Sequence, residues 1–304
     1  MWRGLQWALL LALFLVAVVA AVWLGGNGAA AASAAPANIP PKLDIPPRPA
    51  DAITGSEFVR RTEGLPEAER QEQALAELRA GNVPMSERSL KPVSLTGTAP
   101  DGEPIRATVW VTPDYLAIGS DADFLRAPLT YPSATAIANQ FGAVLPTPKI
   151  VDEVYADAAE RVTPQPLPAG PRMRSSDYCL EHHALIQQQL SRLEPRGAGA
   201  LIAGQKKDVV ITNQLLKKPN RIAIYGWHRA PGKPIQPLST FHEADYADYS
   251  HGVRLVSDTV TVNGRTQSIV HALEDAEEAP ALSYEGRIAD VDRVMHRDET
   301  AQQK

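Results

Sequence analysis

One cysteine, Cys179, stands in 304 residues. A single thiol excludes an intrachain disulfide, so the fold cannot depend on one in any redox compartment. No cysteine follows the apolar run near the N-terminus, which excludes lipoprotein processing. Positive charge is not in excess either: 30 Lys and Arg against 35 Asp and Glu leave a formal charge of -5. A nucleic-acid binder normally carries a basic stripe, so nucleic acid is not an expected partner. No internal repeat is present, and no tight metalloprotease spacing such as H-E-x-x-H. Proline is abundant, at 26 residues, and clusters outside the expected elements.

The first segment, "MWRGLQWALLLALFLVAVVAAVWLGG", has one cation, Arg3, and then 18 apolar residues over 7–24. Signal-peptide cores run to about 7–15 residues and spanning helices to about 20. The run lies between the two, and Ala32-Ser33-Ala34 has the small-x-small form that a signal peptidase cleaves. Residues 1–24 therefore read as a signal peptide or a membrane anchor. In both cases the rest of the chain is exported, periplasmic or secreted, and in the second it is held at the cytoplasmic membrane by residues 7–24. Residues 25–52 are Ala- and Pro-rich and read as a linker. Residues 53–290 read as one domain, and 291–304 as a frayed polar tail.

Within that domain, Ser56 suits a helix cap, and Pro66 with Glu67 and Glu69 suits the start of a second helix that stops at Gly81. "IRATVWV" alternates with period two behind an Asp101-Gly102 turn. Two helices follow over 131–160, the second starting after Thr147, and a further one over "SSDYCLEHHALIQQQLSRL". Beyond residue 199 short β-rich runs take over, with turns at Pro231-Gly232 and Asn263-Gly264. The expected class is α+β: a helix-rich N-terminal half packed on a C-terminal, mainly antiparallel β-sheet of four to six strands.

Polar chemistry is concentrated in "HEADYADYSHGVRL", residues 242–255. His242 and His251, with Asp245 and Asp248, can supply acid/base or metal-binding groups, and Arg254 can hold an anion. "GQKKDVV" offers Lys206 and Lys207 for anionic substrate groups and Asp208 to orient a histidine. In "AIYGWH", strand alternation puts Ile224, Gly226 and His228 on one face and Tyr225 and Trp227 on the other. His228, His242 and His251 are the candidate ligands of a divalent metal such as zinc. Tyr225, Trp227, Tyr246 and Tyr249 are candidates to stack on sugar rings. The adjacent His182 and His183 point about 100° apart on a helix, which suits one buried and one solvated imidazole. Cys179, among Tyr178, Leu180 and Leu185, reads as a small buried hydrophobe.

Ser250-His251-Gly252 with Arg254 resembles the Ser-His-Gly-Cys-x-Arg motif of L,D-transpeptidases, but the nucleophilic cysteine is missing, so that chemistry does not carry over. "GKPIQPLSTFH…SHGVRLV" is similar in rhythm to zinc-dependent N-acetylmuramoyl amidases. "GQKKDVVIT", "AIYGWH", "GKPIQPL" and "YADYSHGVRL" together resemble a family of exported microbial proteins of unassigned activity. That resemblance implies a histidine where this chain has Gln205. The functional expectation is an envelope-facing hydrolase acting on a cell-wall or extracellular polymer or glycan. The alternative is a non-catalytic envelope protein that binds glycan or peptide in the same cleft.

Overall fold

Helix α1 (Gly55–Thr62) starts at Thr54, not at Ser56. Thr54 has the extended backbone a cap requires, and its hydroxyl accepts from the Glu57 N–H. Ser56 lies inside the helix, where its hydroxyl donates to Asp123. Helix α2 (Glu67–Arg79) begins behind Pro66, and Gly81 beyond it takes φ +83°. These belong to a computed structural model that describes residues 40–193 and 199–297. All of them fall in one of the two units into which the chain divides, Asn38–Lys304.

Strands β1 (Lys91–Thr98) and β2 (Pro104–Val111) form an antiparallel hairpin across Asp101-Gly102. A second small hairpin, β3 (Ala117–Ser120) and β4 (Asp123–Arg126), leads to α3 (Tyr131–Gln140), the short β5 (Ala143–Val144) and α4 (Pro148–Asp157). Thr130 and Thr147 cap these two helices, each with Pro in the first turn. Then come β6 (Glu160–Arg161), α5 (Ser176–Leu190), β7 (Ile202–Ala203), β8 (Lys207–Val209) and α6 (Gln214–Lys217). The chain continues through β9 (Ile224–His228), β10 (Pro234–Ser239), β11 (His251–Gly252), β12 (Val256–Val262), β13 (Arg265–Ser268), α7 (Ile269–Glu274) and α8 (Val291–Val294).

The class is α+β. The larger sheet has the order β1-β2-β12-β13, with β5 pairing β12, so it draws strands from both halves of the chain. Segregation of helices and sheet by sequence half is thus corrected. Alternation explains the pairing: Val93 and Leu95, Ile105, Ala107 and Val109, and Val260 and Val262 are all buried. Each larger side chain so buried contributes about 1.5–3 kcal/mol.

The smaller sheet has the order β10-β9-β8-β11, parallel between β8 and β11 and antiparallel elsewhere. Helix α4 contacts β1 of one sheet and β9 of the other. Its Ile150, Val151, Val154 and Tyr155 are buried in the core.

Both expected ends of the domain move outward. Arg48, in the expected linker, donates from Nε to Asn82 Oδ1 at 2.9 Å and to the Gly119 carbonyl at 3.0 Å. In the expected frayed tail, Val291, Val294 and Met295 are buried, and the Tyr131 hydroxyl donates to the Val294 carbonyl at 2.6 Å. The expectation of a transmembrane membrane protein is also corrected for this unit: no helix among the described residues is long and apolar enough to cross a membrane. The run over 7–24 and the Ala32-Ser33-Ala34 motif lie outside the described residues.

Candidate functional site

Strand β8 puts Lys207 opposite His251 on one side and Gly226 on the other; Asp208 lies opposite Gly252 and Tyr225. Two of these positions must be glycine. A Cβ on Gly252 would come within 2.5 Å of the Tyr115 ring, and Gly226 has φ +105°. Trp227 follows at φ +57°, a conformation non-glycine residues rarely adopt. These two residues break the alternation expected for "AIYGWH". As a result Tyr225 and His228, expected on opposite faces, converge on the same carboxylate, Asp152 of α4.

Around Asp152 the packing is tight. His228 Nε2 lies 2.7 Å from Asp152 Oδ1. The Tyr225 hydroxyl donates to the same carboxylate at 2.9 Å, and the Tyr284 hydroxyl at 2.8 Å. The His228 imidazole stacks on Tyr155, with ring centroids 4.7 Å apart. Burial pushes the Asp152 carboxyl up, but the hydrogen bonds from His228, Tyr284 and Tyr225 outweigh it and hold it below its usual value. Asp208 is placed differently. Its Oδ2 accepts from the Tyr115 hydroxyl at 2.7 Å, and Arg254 Nε stands 4.0 Å from Oδ1. Burial outweighs both and pushes Asp208 up to about 6. A Cβ placed on Gly226 would lie 3.3 Å from Asp208 Oδ2 and 3.5 Å from His228 Cε1. The two groups thus flank one glycine.

The stretch 242–251 forms a second cluster beside a groove of about 930 Å³. The His242 and Tyr246 rings stack at 4.1 Å, Phe241 meets His242 edge-on, and the Arg174 guanidinium lies 5.1 Å over Tyr246. Phe241 is 78% exposed. Lys218 and Arg221 add cations to the groove, and Glu243 and Asp245 add carboxylates. Arg221 Nη1 pairs with Glu243 at 2.7 Å. Beneath the rings, the Tyr246 hydroxyl donates to Asp248 Oδ2 at 3.0 Å, and Ser250 donates to Oδ1 from its backbone N–H at 2.8 Å and its hydroxyl at 2.5 Å. His251 meets Tyr246 edge-on and is buried, with no hydrogen-bond partner on either ring nitrogen. Burial pushes it down to about 4, so it is neutral at pH 7. His242, half-buried, is also lowered by burial.

Several expected roles do not survive this placement. Arg254 is fully buried and donates to the Thr112 and Ile202 carbonyls at 2.5 and 2.6 Å, so it ties strands together and cannot meet a substrate anion. Lys206 is fully buried, donates to the Tyr249 carbonyl and is pushed down to about 8 by burial. Tyr249 is buried and engages both polar backbone atoms of Leu167 through its hydroxyl. Trp227 is buried, with Lys207 Nζ 5.1 Å over its ring, and Tyr225 is committed to Asp152. Among the expected stacking residues, Tyr246 alone lines the groove. Asp245 is exposed at the groove rim, and Asp248 serves Ser250 and Tyr246; neither makes a hydrogen bond to the His251 ring.

The three imidazoles expected to share a metal are also divided. His242 and His251 contact Tyr246, whereas His228 contacts Tyr155, Tyr225 and Asp152. Among the described residues, no three His, Cys, Asp or Glu side chains are grouped to hold a metal ion. His182 and His183 are both buried, which corrects the expectation of one solvated ring. His182 sits against Tyr249 and Trp227, and His183 against Phe124 and Arg126. Burial pushes them down to about 2 and about 3. Cys179 is buried as expected, and burial pushes its thiol up to about 11.

Sequence reasoning missed Asp152, Tyr284, Tyr115 and the groove residues Arg174 and Arg221. One signal was there: Asp152 borders the apolar stripe Ile150, Val151, Val154 and Tyr155 of α4, where a half-buried carboxylate requires partners. The others come from distant segments with no shared pattern. No family model, no curated protein and no solved structure matches the chain.

Proposed function

We propose that the chain is an exported protein that holds a strand of a cell-wall or extracellular polymer, a glycan or a peptide, in the groove beside residues 241–246. The carrying observation is the ladder Phe241–His242–Tyr246–Arg174, aromatic rings and a guanidinium in sequence along this groove. Such a ladder offers flat, partly polar surface for sugar rings or peptide groups. Arg174, Lys218 and Arg221 on one hand and Glu243 and Asp245 on the other suit a polymer bearing both charged and neutral groups. The stacking ring is pinned from below by Asp248, so little ordering of the platform accompanies binding. Titration of soluble peptidoglycan fragments into the full chain tests this. Saturable binding is expected, weakened about tenfold or more by Tyr246→Ala, on the scale of the about 1–3 kcal/mol lost when an aromatic ring that stacks a nucleic-acid base is removed. Absence of saturable binding, or full affinity in Tyr246→Ala, ends the reading.

A hydrolytic role is the second reading, and a separate observation favours it. Asp208, held at about 6, and His228, backed by Asp152, flank Gly226, which pairs a carboxyl that titrates near neutrality with an oriented imidazole. Both are buried, at 2% and 1% exposure, so on this reading the pair acts as general acid and general base only on a group admitted beside Gly226. Release of soluble product from cell-wall polymer by the wild type, lost in both His228→Ala and Asp208→Asn, is the expected signature. Binding without product from the wild type removes catalysis and leaves the groove reading intact.

A further inference from the structure

A second cavity, about 310 Å³, shares no lining residue with the groove. Its polar lining includes Glu87, Asp114, Arg126 and Gln187; Phe124 and Leu190 are among its apolar walls. We propose that it binds a small primary ammonium ligand with an apolar body, held by Glu87.

Asp114, Arg126 and Gln187 already have partners. Asp114 Oδ1 accepts from the Tyr115 N–H at 2.7 Å and from Gln205 Nε2 at 2.8 Å, and Oδ2 accepts from Arg126 Nε at 2.9 Å. Arg126 also donates through Nη2 to Asp114 and through Nη1 to Gln187 Oε1 at 3.1 Å, with His183 Nδ1 3.3 Å away. The cation and the first carboxylate are therefore committed to each other and to their neighbours. Glu87 is left. It is 3% exposed, its carboxyl takes a backbone hydrogen bond from Ala117, and its Oε2 has no hydrogen-bond partner. A buried oxygen without a donor is costly, and such groups are normally satisfied.

The chemistry of the missing partner follows. An ammonium satisfies Oε2 by donating to it, because Oε2 is an acceptor once Glu87 is ionised. A positive charge is favoured because, among the described lining residues, three carboxyls, Glu87, Asp114 and Glu160, stand with one guanidinium, Arg126. One open oxygen suits a point-charge ammonium better than the two-pronged fork of a guanidinium. An anion finds no free cation here, because the Arg126 guanidinium is taken by Asp114. Phe124 and Leu190 take the apolar body, and the volume is at the small end of ligand pockets. Burial and the Asp114 charge push the Glu87 carboxyl well above its usual range, which favours the protonated form in the empty protein. Binding of R–NH3+ then exchanges that proton for the ammonium: the O–H bond of Glu87 breaks, the carboxylate accepts an N–H from the ligand, and the proton leaves to buffer.

The test is calorimetry on the full chain with 2-phenylethylammonium, and with phenylacetate as the anion of similar size. Expected are saturable binding of the amine, binding heats that differ between two buffers of unequal ionisation enthalpy, affinity that rises with pH, and no binding of phenylacetate. Glu87→Gln, which keeps the shape and removes the charge, is expected to weaken the amine tenfold or more. The ligand comparison and the proton release need no variant, so a Glu87→Gln protein that fails to fold leaves the proposal open to refutation. Absence of amine binding, equal binding of phenylacetate, or wild-type affinity in folded Glu87→Gln overturns it.

Discussion

Replacing Asp208 with Asn has an effect on stability whose sign depends on pH. Asp208 is 2% exposed, and its carboxyl is raised to about 6 in the fold from 3.8. The Tyr115 hydroxyl and the Arg254 guanidinium favour the ionised form, but desolvation outweighs them. An acid whose folded value is raised supports the fold fully below its free value and loses that support as pH climbs through the folded value. The window therefore runs from 3.8 to about 6. One pKa unit is worth about 1.4 kcal/mol, so above this window the ionised side chain costs the fold about 3 kcal/mol relative to its neutral form. Asn is a neutral isostere that keeps an oxygen for Tyr115. Asp208→Asn is thus expected to match wild type near pH 4 and to exceed it by up to about 3 kcal/mol at pH 8. Urea denaturation of both proteins at four pH values between these limits measures the difference. A gap that stays constant with pH, or one that opens toward acid, refutes the reasoning.

Three further outcomes are expected. Asp114→Ala strands the buried Arg126 guanidinium and is expected to lose about 3–5 kcal/mol, read by the same denaturation, whereas the double change Asp114→Leu with Arg126→Met loses far less, since removing a buried pair together can be near neutral. His251, neutral in the fold with a value near 4 against 6.5 when free, withdraws stability as pH falls through that interval; His251→Leu is expected to flatten the acid limb by about 3 kcal/mol, and equal limbs in the two proteins contradict it. Gly226→Ala places a Cβ 3.1 Å from Val151 Cγ1 at φ +105° and is expected to cost about 1–3 kcal/mol, more than Gly232→Ala, where φ is +64° and nothing lies within 4 Å; thermal melts of the two variants rank them.

The α+β class was legible because hydrophobic periodicity is local: "IRATVWV" alternates whether or not its partner strand is known, and Thr147-Pro148 marks a helix start without tertiary help. Burial of Cys179 among apolar neighbours was legible on the same ground. The concentration of polar groups over 242–255 pointed to the stretch that borders the groove. The roles within it were not legible. Arg254 reads as an anion holder in sequence, and only the proximity of the Thr112 and Ile202 carbonyls makes it an interior tie. Tyr249 reads as a stacking residue until Leu167 occupies its hydroxyl.

What the sequence by itself determined is which segments form helices and strands, and where charged and aromatic groups are dense. Both follow from near-neighbour sterics and solvation. The tertiary structure alone decided that Tyr225 and His228 turn to Asp152, that Asp208 stays separate at Tyr115, and that His242 and His251 share Tyr246 instead of a common centre with His228. The physical reason is that these partners lie up to 93 residues apart in the chain. A buried carboxylate states that it needs a donor, but long-range packing selects which one.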